Sequence, residues 1–463
     1  MKKSIWVFTL SLMLLSFSCN KKVRTSAEIT SDETAIMGAN VIPMTGDQKI
    51  LKNQTIIIKN GKIHQIGPAS EVKPSKGAQK IKADGQFLMP GLTEMHAHIP
   101  VANNGDDSYV KETLFLYLSQ GVTTIRGMLG NPYHLALKKQ IEEETILSPR
   151  VYTSSPSMNG NSVTSIGQAE EKVRQYKTDG YDFLKIHPGI QLEVMQQLVT
   201  TAQEIGMPFS GHVPAAVGIR NALNYKYATI DHLDGYVTGM APEGSNADQG
   251  GFFGYEFTDE AKKERMRELV QMTKEKGVAV VPTQTLFTRW MSPKNPAAMT
   301  NEPEMKYMPA KVRYQWRQSK ENLISSPTYT EEKHARFVAL RANLMKEMYD
   351  SGVQFLSGSD APQVFNVPGF SLLHELEDMA AAGLPNDYIL ETSTTAPASF
   401  FSSTGQYGVI QKGASADLIL LSANPLDDIG NIRKQEGVMV RGRWLSKEMI
   451  AAKLAEIAEK NQG

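Results

Sequence analysis

Residues 89–98 of this chain read Met-Pro-Gly-Leu-Thr-Glu-Met-His-Ala-His, an apolar run that ends in two histidines two positions apart. On a strand, residues i and i+2 point to the same face, so His96 and His98 aim at one point. Two imidazoles converging in this way are what one metal ion asks of two ligands. Further chemistry-bearing residues recur at the ends of other apolar runs. Lys185 lies within 181–186, His212 ends 207–212, His232 ends 227–232, and Asp360 ends Ser357-Gly358-Ser359-Asp360. Taken singly, each has a plain structural reading: a hydrogen-bonded histidine, a lysine whose stem snorkels to solvent, an aspartate capping a helix. Taken together, four of the nine histidines, one lysine in an apolar run and one aspartate occupy equivalent places on separate strands, which points to a single metal site.

The elements that must position them follow a strand–helix alternation. Strand-like runs recur at 87–98, 121–125, 150–153, 181–186, 207–212, 227–232, 277–281 and 353–357. Gly121, Gly180, Gly206, Gly277 and Gly352 stand where the intervening helices should close. Leu192, Met195, Leu198, Val199, Ala202 and Ile205 form one apolar stripe at helical spacing. Eight strands alternating with helices predict an α/β fold: a (β/α)8 TIM-type barrel whose active site opens at the C-terminal strand ends. Two long connections, 236–258 and about 284–330, leave such ends and are expected to be rim or lid segments.

Short strands flank the barrel. Asn60-Gly61 between β-rich runs predicts a hairpin, with His64 on its solvated side. After residue 404, strands are expected at 408–413, 416–421 and 437–444, with 441–443 as a turn and a helix over 446–460. Neither end has enough strands for a stable sheet, so the two ends together should form one small β-sandwich. The expected organisation is 1–19 leader, 20–32 tether, 33–86 N-terminal half of the sandwich, 87–404 barrel, and 405–463 C-terminal half of the sandwich with the closing helix.

The leader carries Lys2 and Lys3 before a mostly apolar stretch from Ile5 to Phe17 that is too short to span a membrane. Cys19, the only cysteine, follows it. Its placement resembles the lipidated cysteine of bacterial lipoproteins, although Leu15 stands one place early for that pattern. The expectation is an exported chain, lipid-anchored to a bacterial membrane and facing the periplasm or cell surface. Lys plus Arg and Asp plus Glu both number 49, so the balanced charge gives no reason to expect a nucleic-acid partner.

The His-x-His run, the other strand-end residues and the Gly408–Asn424 return (Gly-x-Ile-x-x-Gly-x-x-Ala-Asp-Leu, then Asn-Pro-Leu) resemble the amidohydrolase superfamily in its branch with two metal ions. Imidazolonepropionase-like and prolidase-like members are the nearest in pattern, with Pro-Gly-Leu before the His-x-His and a Gly-Val-Thr-Thr strand next. The resemblance implies that His96 and His98 hold one metal with Asp360, that His212 and His232 hold a second, and that Lys185 bridges both as a carboxylated (carbamate) lysine. It implies two divalent ions, zinc by donor type, a metal-bridging hydroxide as nucleophile, and Asp360 as proton shuttle. The substrate would be a small molecule or dipeptide with a scissile amide. A lactone or ester hydrolase, a one-metal deaminase and a non-enzymatic binding lipoprotein stay open beside it. Glu94 replaces an aspartate common in relatives, and 157–161 lacks the histidine of prolidase-like members, so the substrate-binding residues are unknown. His187 is a candidate for the pocket wall and Arg289 for a substrate carboxylate; His134, His334 and His374 are expected in packing or surface roles.

Overall fold

The structure, a computed structural model, describes residues 33–461; the expected leader, Cys19 and the tether lie outside the described residues. Fifteen strands are numbered here in chain order. Strands β1 (Glu33–Val41), β2 (Leu51–Lys59), β3 (Lys62–Pro68), β4 (Gln79–Lys82) and β5 (Phe87–Pro90) come first. The barrel strands are β6 (Leu92–Ala97), β7 (Val122–Gly127), β8 (Arg150–Met158), β9 (Phe183–Ile186), β10 (Phe209–Gly211), β11 (Thr229–Asp231) and β12 (Ala279–Val281). Strands β13 (Leu418–Leu421), β14 (Gln435–Val440) and β15 (Arg443–Ser446) close the chain before a helix, Lys447–Lys460.

Strands β6 to β12 pair in sequence order, all parallel. The eighth barrel position, 353–357, forms no regular strand. Isolated bridges join Phe355 to Val280 and Ala361 to Ala97. Met95 N donates to Ser357 O (2.9 Å) and Leu356 N to Val280 O (3.0 Å), so this segment spans the gap between β12 and β6. The barrel is thus seven regular strands and one irregular stave. Helices between the strands end as expected where Gly180, Gly277 and Gly352 take left-handed backbone. On helix Leu192–Glu204 the buried face is Val194, Met195, Leu198, Val199 and Ala202, while Leu192 is exposed.

The two chain ends meet in one eight-stranded sheet, in the order β15-β14-β13-β5-β1-β2-β3 with β4 beside β1. The Asn60-Gly61 hairpin joins β2 to β3, both residues at positive φ. Ile36, Val41, Ile56, Leu88, Leu418 and Met439 pack inside this unit. Two expectations are corrected here. The run 87–98 is two strands: β5 belongs to the end sheet, paired with β1 and β13, and only β6 enters the barrel. Gly91 makes the switch, in a place where a Cβ would fall 2.2 Å from Thr123 Oγ1. Residues 408–413 form turns, not a strand, because Gly408 and Gly413 both take positive φ (72° and 90°); Val409 and Ile410 still cover the sheet's core.

The insertions differ from each other. Residues 236–258 run along the barrel mouth as a short helix, Tyr236–Met240, and two 3-10 turns. Residues 284–330 divide: Phe287 and Trp290 pack on Phe253 and Phe252 at the rim (ring centres 5.1 and 4.9 Å apart), while the rest turns away from the mouth. Met299, Met305, Met308 and Trp316 pack with Phe115, Phe365 and Val367 into a core of their own. No helix of the described residues is long and apolar enough to cross a membrane.

Candidate metal centre

All six residues singled out by spacing stand at the C-terminal end of the barrel. His96 lies in β6 and His98 just beyond it; Lys185 lies in β9; His212 and His232 directly follow β10 and β11; Asp360 follows the eighth stave. Parallel pairing brings these ends to one mouth. Ligand atoms of His96, His98 and Asp360 fall within 4.8 Å of one another. Asp360 Oδ1 lies 3.2 Å from His96 Nε2 and 2.8 Å from His98 Nε2. The His232 ring centre is 4.4 Å from that of His96 and 4.6 Å from that of His212, and His96 lies 5.6 Å from His98, which chains the four imidazoles together. Lys185 is fully buried and its Nζ has no hydrogen-bond partner among the described residues. Backbone strain concentrates here: His232 (φ 64°), Thr283 (φ 46°) and Asp360 (φ 65°) all hold left-handed conformations that non-glycine residues seldom adopt.

Electrostatics prepares these side chains as ligands. Burial pushes His96 and His232 well below the usual histidine range, so both are neutral imidazoles with a lone pair to give. Burial also pushes the Lys185 ammonium down, to about 8, against the opposing pull of Asp231 and Asp360. A lysine whose amine is accessible near neutral pH can react with carbon dioxide and become a carboxylate-like ligand; an ammonium cannot ligate a cation at all.

The surrounding contacts hold the ligands in place. The Glu94 carboxylate accepts from His96 N (2.9 Å), Ser359 N (2.8 Å) and Ser359 Oγ (2.5 Å), tying β6 to the loop that carries Asp360. Burial pushes Glu94 up to about 7, and these bonds oppose it. Thr283 Oγ1 lies 2.8 Å from His232 Nδ1, and Asp234 Oδ2 lies 3.0 Å from His212 Nδ1. Such partners fix ring orientation and leave the opposite nitrogen for a metal.

Four of these supporting residues were not singled out from the sequence: Asp231, Arg126, Asp234 and Thr283. Asp231 Oδ2 lies 3.2 Å from His96 Nδ1, and the buried Arg126 guanidinium donates to Asp231 Oδ1 (3.1 Å) and Met95 O (2.7 Å). The run Asp231-His232-Leu233-Asp234 was the available signal: acids flanking a histidine at a strand end. His187 does belong to the pocket wall. Its ring stacks 5.0 Å from His212 and its Nδ1 lies 2.6 Å from Ser157 Oγ. Arg289 is corrected: its guanidinium donates to Phe365 O, Glu302 and Glu304, far from open to a substrate. His134 and His334 are buried against backbone carbonyls, and His374 pairs with Glu304.

The donor set fits divalent metal. Among the described residues Lys185 Nζ is buried with no hydrogen-bond partner, and His96 Nε2 and Asp360 Oδ1 face each other at 3.2 Å without an aligned hydrogen bond, whereas buried polar atoms in folded proteins are ordinarily satisfied. Neutral imidazole with oxygen donors suits zinc and its neighbours.

The amidohydrolase family model matches residues 87–445. Ochratoxinase from Aspergillus niger is 21% identical, with 91% of this chain and 88% of that protein covered. Imidazolonepropionase from Yersinia pestis is 23% identical, with 45% of this chain and 66% of that protein covered. Another curated relative matches only locally. The chain spans 15% of the length of a 5-methylthioadenosine/S-adenosylhomocysteine deaminase from Symbiobacterium thermophilum, at 33% identity over 14% of its own. Among solved structures, a prolidase-type protein from Bifidobacterium longum superposes with a TM-score of 0.66 at 22% identity, covering 92% of this chain and 99% of that one.

Proposed function

This chain belongs to the amidohydrolase family, and from that premise we propose that it is a metal-dependent hydrolase of an amide bond in a dipeptide, an N-acyl amino acid or a cyclic amide. His96 and His98 with Asp360 would hold one divalent ion, His212 and His232 a second, and carboxylated Lys185 would join them; zinc suits the donors. Bound there, the metals supply polarisation of the scissile carbonyl and acidification of water. The protein's own groups do the rest. Asp360, held rigid by the Glu94–Ser359 ties, accepts a proton from the attacking water and returns it to the leaving nitrogen. Arg126 and Asp231 keep His96 in place. Phe253, its ring 5.3 Å from that of His232 and 5.7 Å from that of His212, walls the mouth against bulk water.

The observation that carries this reading is Lys185: a buried amine without a partner, in the company of neutral imidazoles and Asp360. A binding protein on the same fold would have no use for it. The test is metal analysis of the chain from residue 20 onward, beside a hydrolysis panel of dipeptides, N-acyl amino acids, cyclic amides and lactones. We expect about two metals per chain and cleavage of one amide class. About one metal would turn the reading towards deamination. No metal and no turnover in folded protein would overturn it. We further propose that the enzyme works outside the cytoplasm, tethered through lipidated Cys19; a fusion reporter showing the N-terminus retained in the cytoplasm would defeat that.

A further inference from the structure

Next to His212 the barrel mouth continues into a cavity of about 540 Å³, within the size of ordinary ligand pockets. Its walls are the segments that follow β10 and β11, and its lining includes Val213, Pro214, Val217, Ile219, Phe252 and Phe253. One wall is held in strained backbone. Phe253 takes φ 54° and Gly254 φ 81°, with a Cβ at Gly254 falling 2.9 Å from Thr238 N. That strain presents the Phe253 ring to His212 and His232, and strain of this kind is retained where a site needs it.

The charged groups of this cavity are unevenly matched. Asp234 is engaged by His212 Nδ1 and Val213 N. Arg220 is engaged by both carboxylate oxygens of Glu268 at 3.0 Å. Glu243 is exposed to solvent. Arg265, half-buried in the first turn of helix Lys263–Lys276, makes no ion pair among the described residues. Its one hydrogen bond is from Nε to Gly239 O (3.3 Å), so its two terminal nitrogens are unclaimed. A guanidinium presenting those nitrogens is shaped to hold a carboxylate through two parallel bonds.

We propose that this cavity receives the half of the substrate that bears a free α-carboxylate and an apolar side chain, the carboxylate on Arg265 and the side chain against Phe252 and Phe253. This rests on the hydrolase reading above and names its substrate class: N-acyl or N-aminoacyl derivatives of an apolar amino acid. Water adds to the scissile carbonyl, the C–N bond breaks, the acyl half leaves as a carboxylic acid, and the amino acid leaves as the amine that gained the proton. Arg265 is a specificity residue and takes no part in proton transfer.

The test compares glycyl-L-phenylalanine and N-acetyl-L-phenylalanine with their C-terminal amides, on the zinc-loaded chain. The free acids should be preferred by about ten- to a hundredfold in kcat/KM, the range of a hydrogen bond to a charged group, and the preference should lie in KM. In Arg265→Met the ratio of acid to amide should fall towards one. Arg265→Lys, which keeps charge but not the fork, should restore some of it. L-phenylalanine should inhibit the wild type and do so more weakly in Arg265→Met, with the unfolding midpoint confirming that the variant is folded. Equal use of acid and amide by the wild type, or a ratio that Arg265→Met leaves in place, overturns the proposal. If neither acid nor amide is cleaved while another amide of the panel is, this substrate class is overturned; if no amide of the panel is cleaved, the hydrolase reading is what fails. Calorimetric binding of L-phenylalanine against L-phenylalaninamide then still decides the cavity: equal or no binding of the acid counts against it.

Discussion

Among the described residues two lysines are completely buried, in two regions that treat them in opposite ways. In the 284–330 insertion, Lys320 Nζ donates to the carbonyls of Arg289 (2.9 Å), Trp290 (2.9 Å) and Ser292 (2.5 Å), and lies 3.0 Å from Ser292 Oγ. Burial pushes it down to about 7, but oxygen surrounds it. At the barrel mouth, Lys185 is as deeply buried and its Nζ has no hydrogen-bond partner among the described residues, only the charges of Asp231 and Asp360 nearby. The first is the arrangement expected of a buried cation kept for structure, with its desolvation offset by good acceptors. The second is not stable company for an ammonium, and it makes sense when the nitrogen's partner is something the chain does not itself provide. Burial alone therefore says little about role; what matters is whether the buried group is answered from within.

Three substitutions press on that contrast. The largest effect should follow Lys185→Ala. Metal content and activity should drop together, activity by more than about 100-fold, the upper end of what losing an outer partner of a ligand causes. The unfolding midpoint should move little, and a short carboxylic acid should restore some of both losses by standing in for the proposed bridge. Wild-type metal loading in this variant would dissolve the distinction between the two lysines. Lys320→Met should do the reverse. It strands buried carbonyls and should lower unfolding free energy by about 3 kcal/mol, read from the urea midpoint at constant m-value, with turnover per folded molecule unchanged. The smallest effect concerns the acids that secure the insertion. Burial pushes Glu304 up, but the His374 bond and Arg289 outweigh it and hold the carboxyl at about 2. A carboxyl lowered by folding stabilises above its unfolded value of about 4.3, and that contribution is lost as pH falls towards 2. Glu304→Gln should cost about 1 kcal/mol at neutral pH and flatten the decline of stability below pH ~4. An unchanged acid limb would show that the insertion does not depend on this pair.

The sequence carried the mouth of the barrel better than its support. His96 and His98 were legible because a strand's period of two puts them on one face, and the other four candidates because each ends an apolar run. Arg126 and Asp231 escaped because a charged residue at a strand end looks solvated until its partner is known, and that partner lies 105 residues away in sequence. The aromatic content of 284–330 fits a rim as well as a core; Phe287 and Trp290 do line the rim, and packing of Trp316 with Phe365 and its neighbours makes a core of the rest. The 87–98 run looked continuous since both halves are apolar, and nothing in their composition says that Pro90 and Leu92 belong to different sheets.

That division has a consequence for how the molecule is made. Strand β5 takes its place between β1 and β13, and Leu418 pairs with Pro90 one residue before the chain turns into the strand that leads to the two histidines. Gly91 N donates to Asp417 O (2.8 Å), so the hinge itself is held by the far end of the polypeptide. A nascent chain that has emerged only as far as residue 400 has every barrel strand but not the seat of the first. Such long-range closure comes late and slowly. The last strands to be synthesised therefore set the first histidines, and a chain cut short after the barrel should lose metal before it loses its barrel helices.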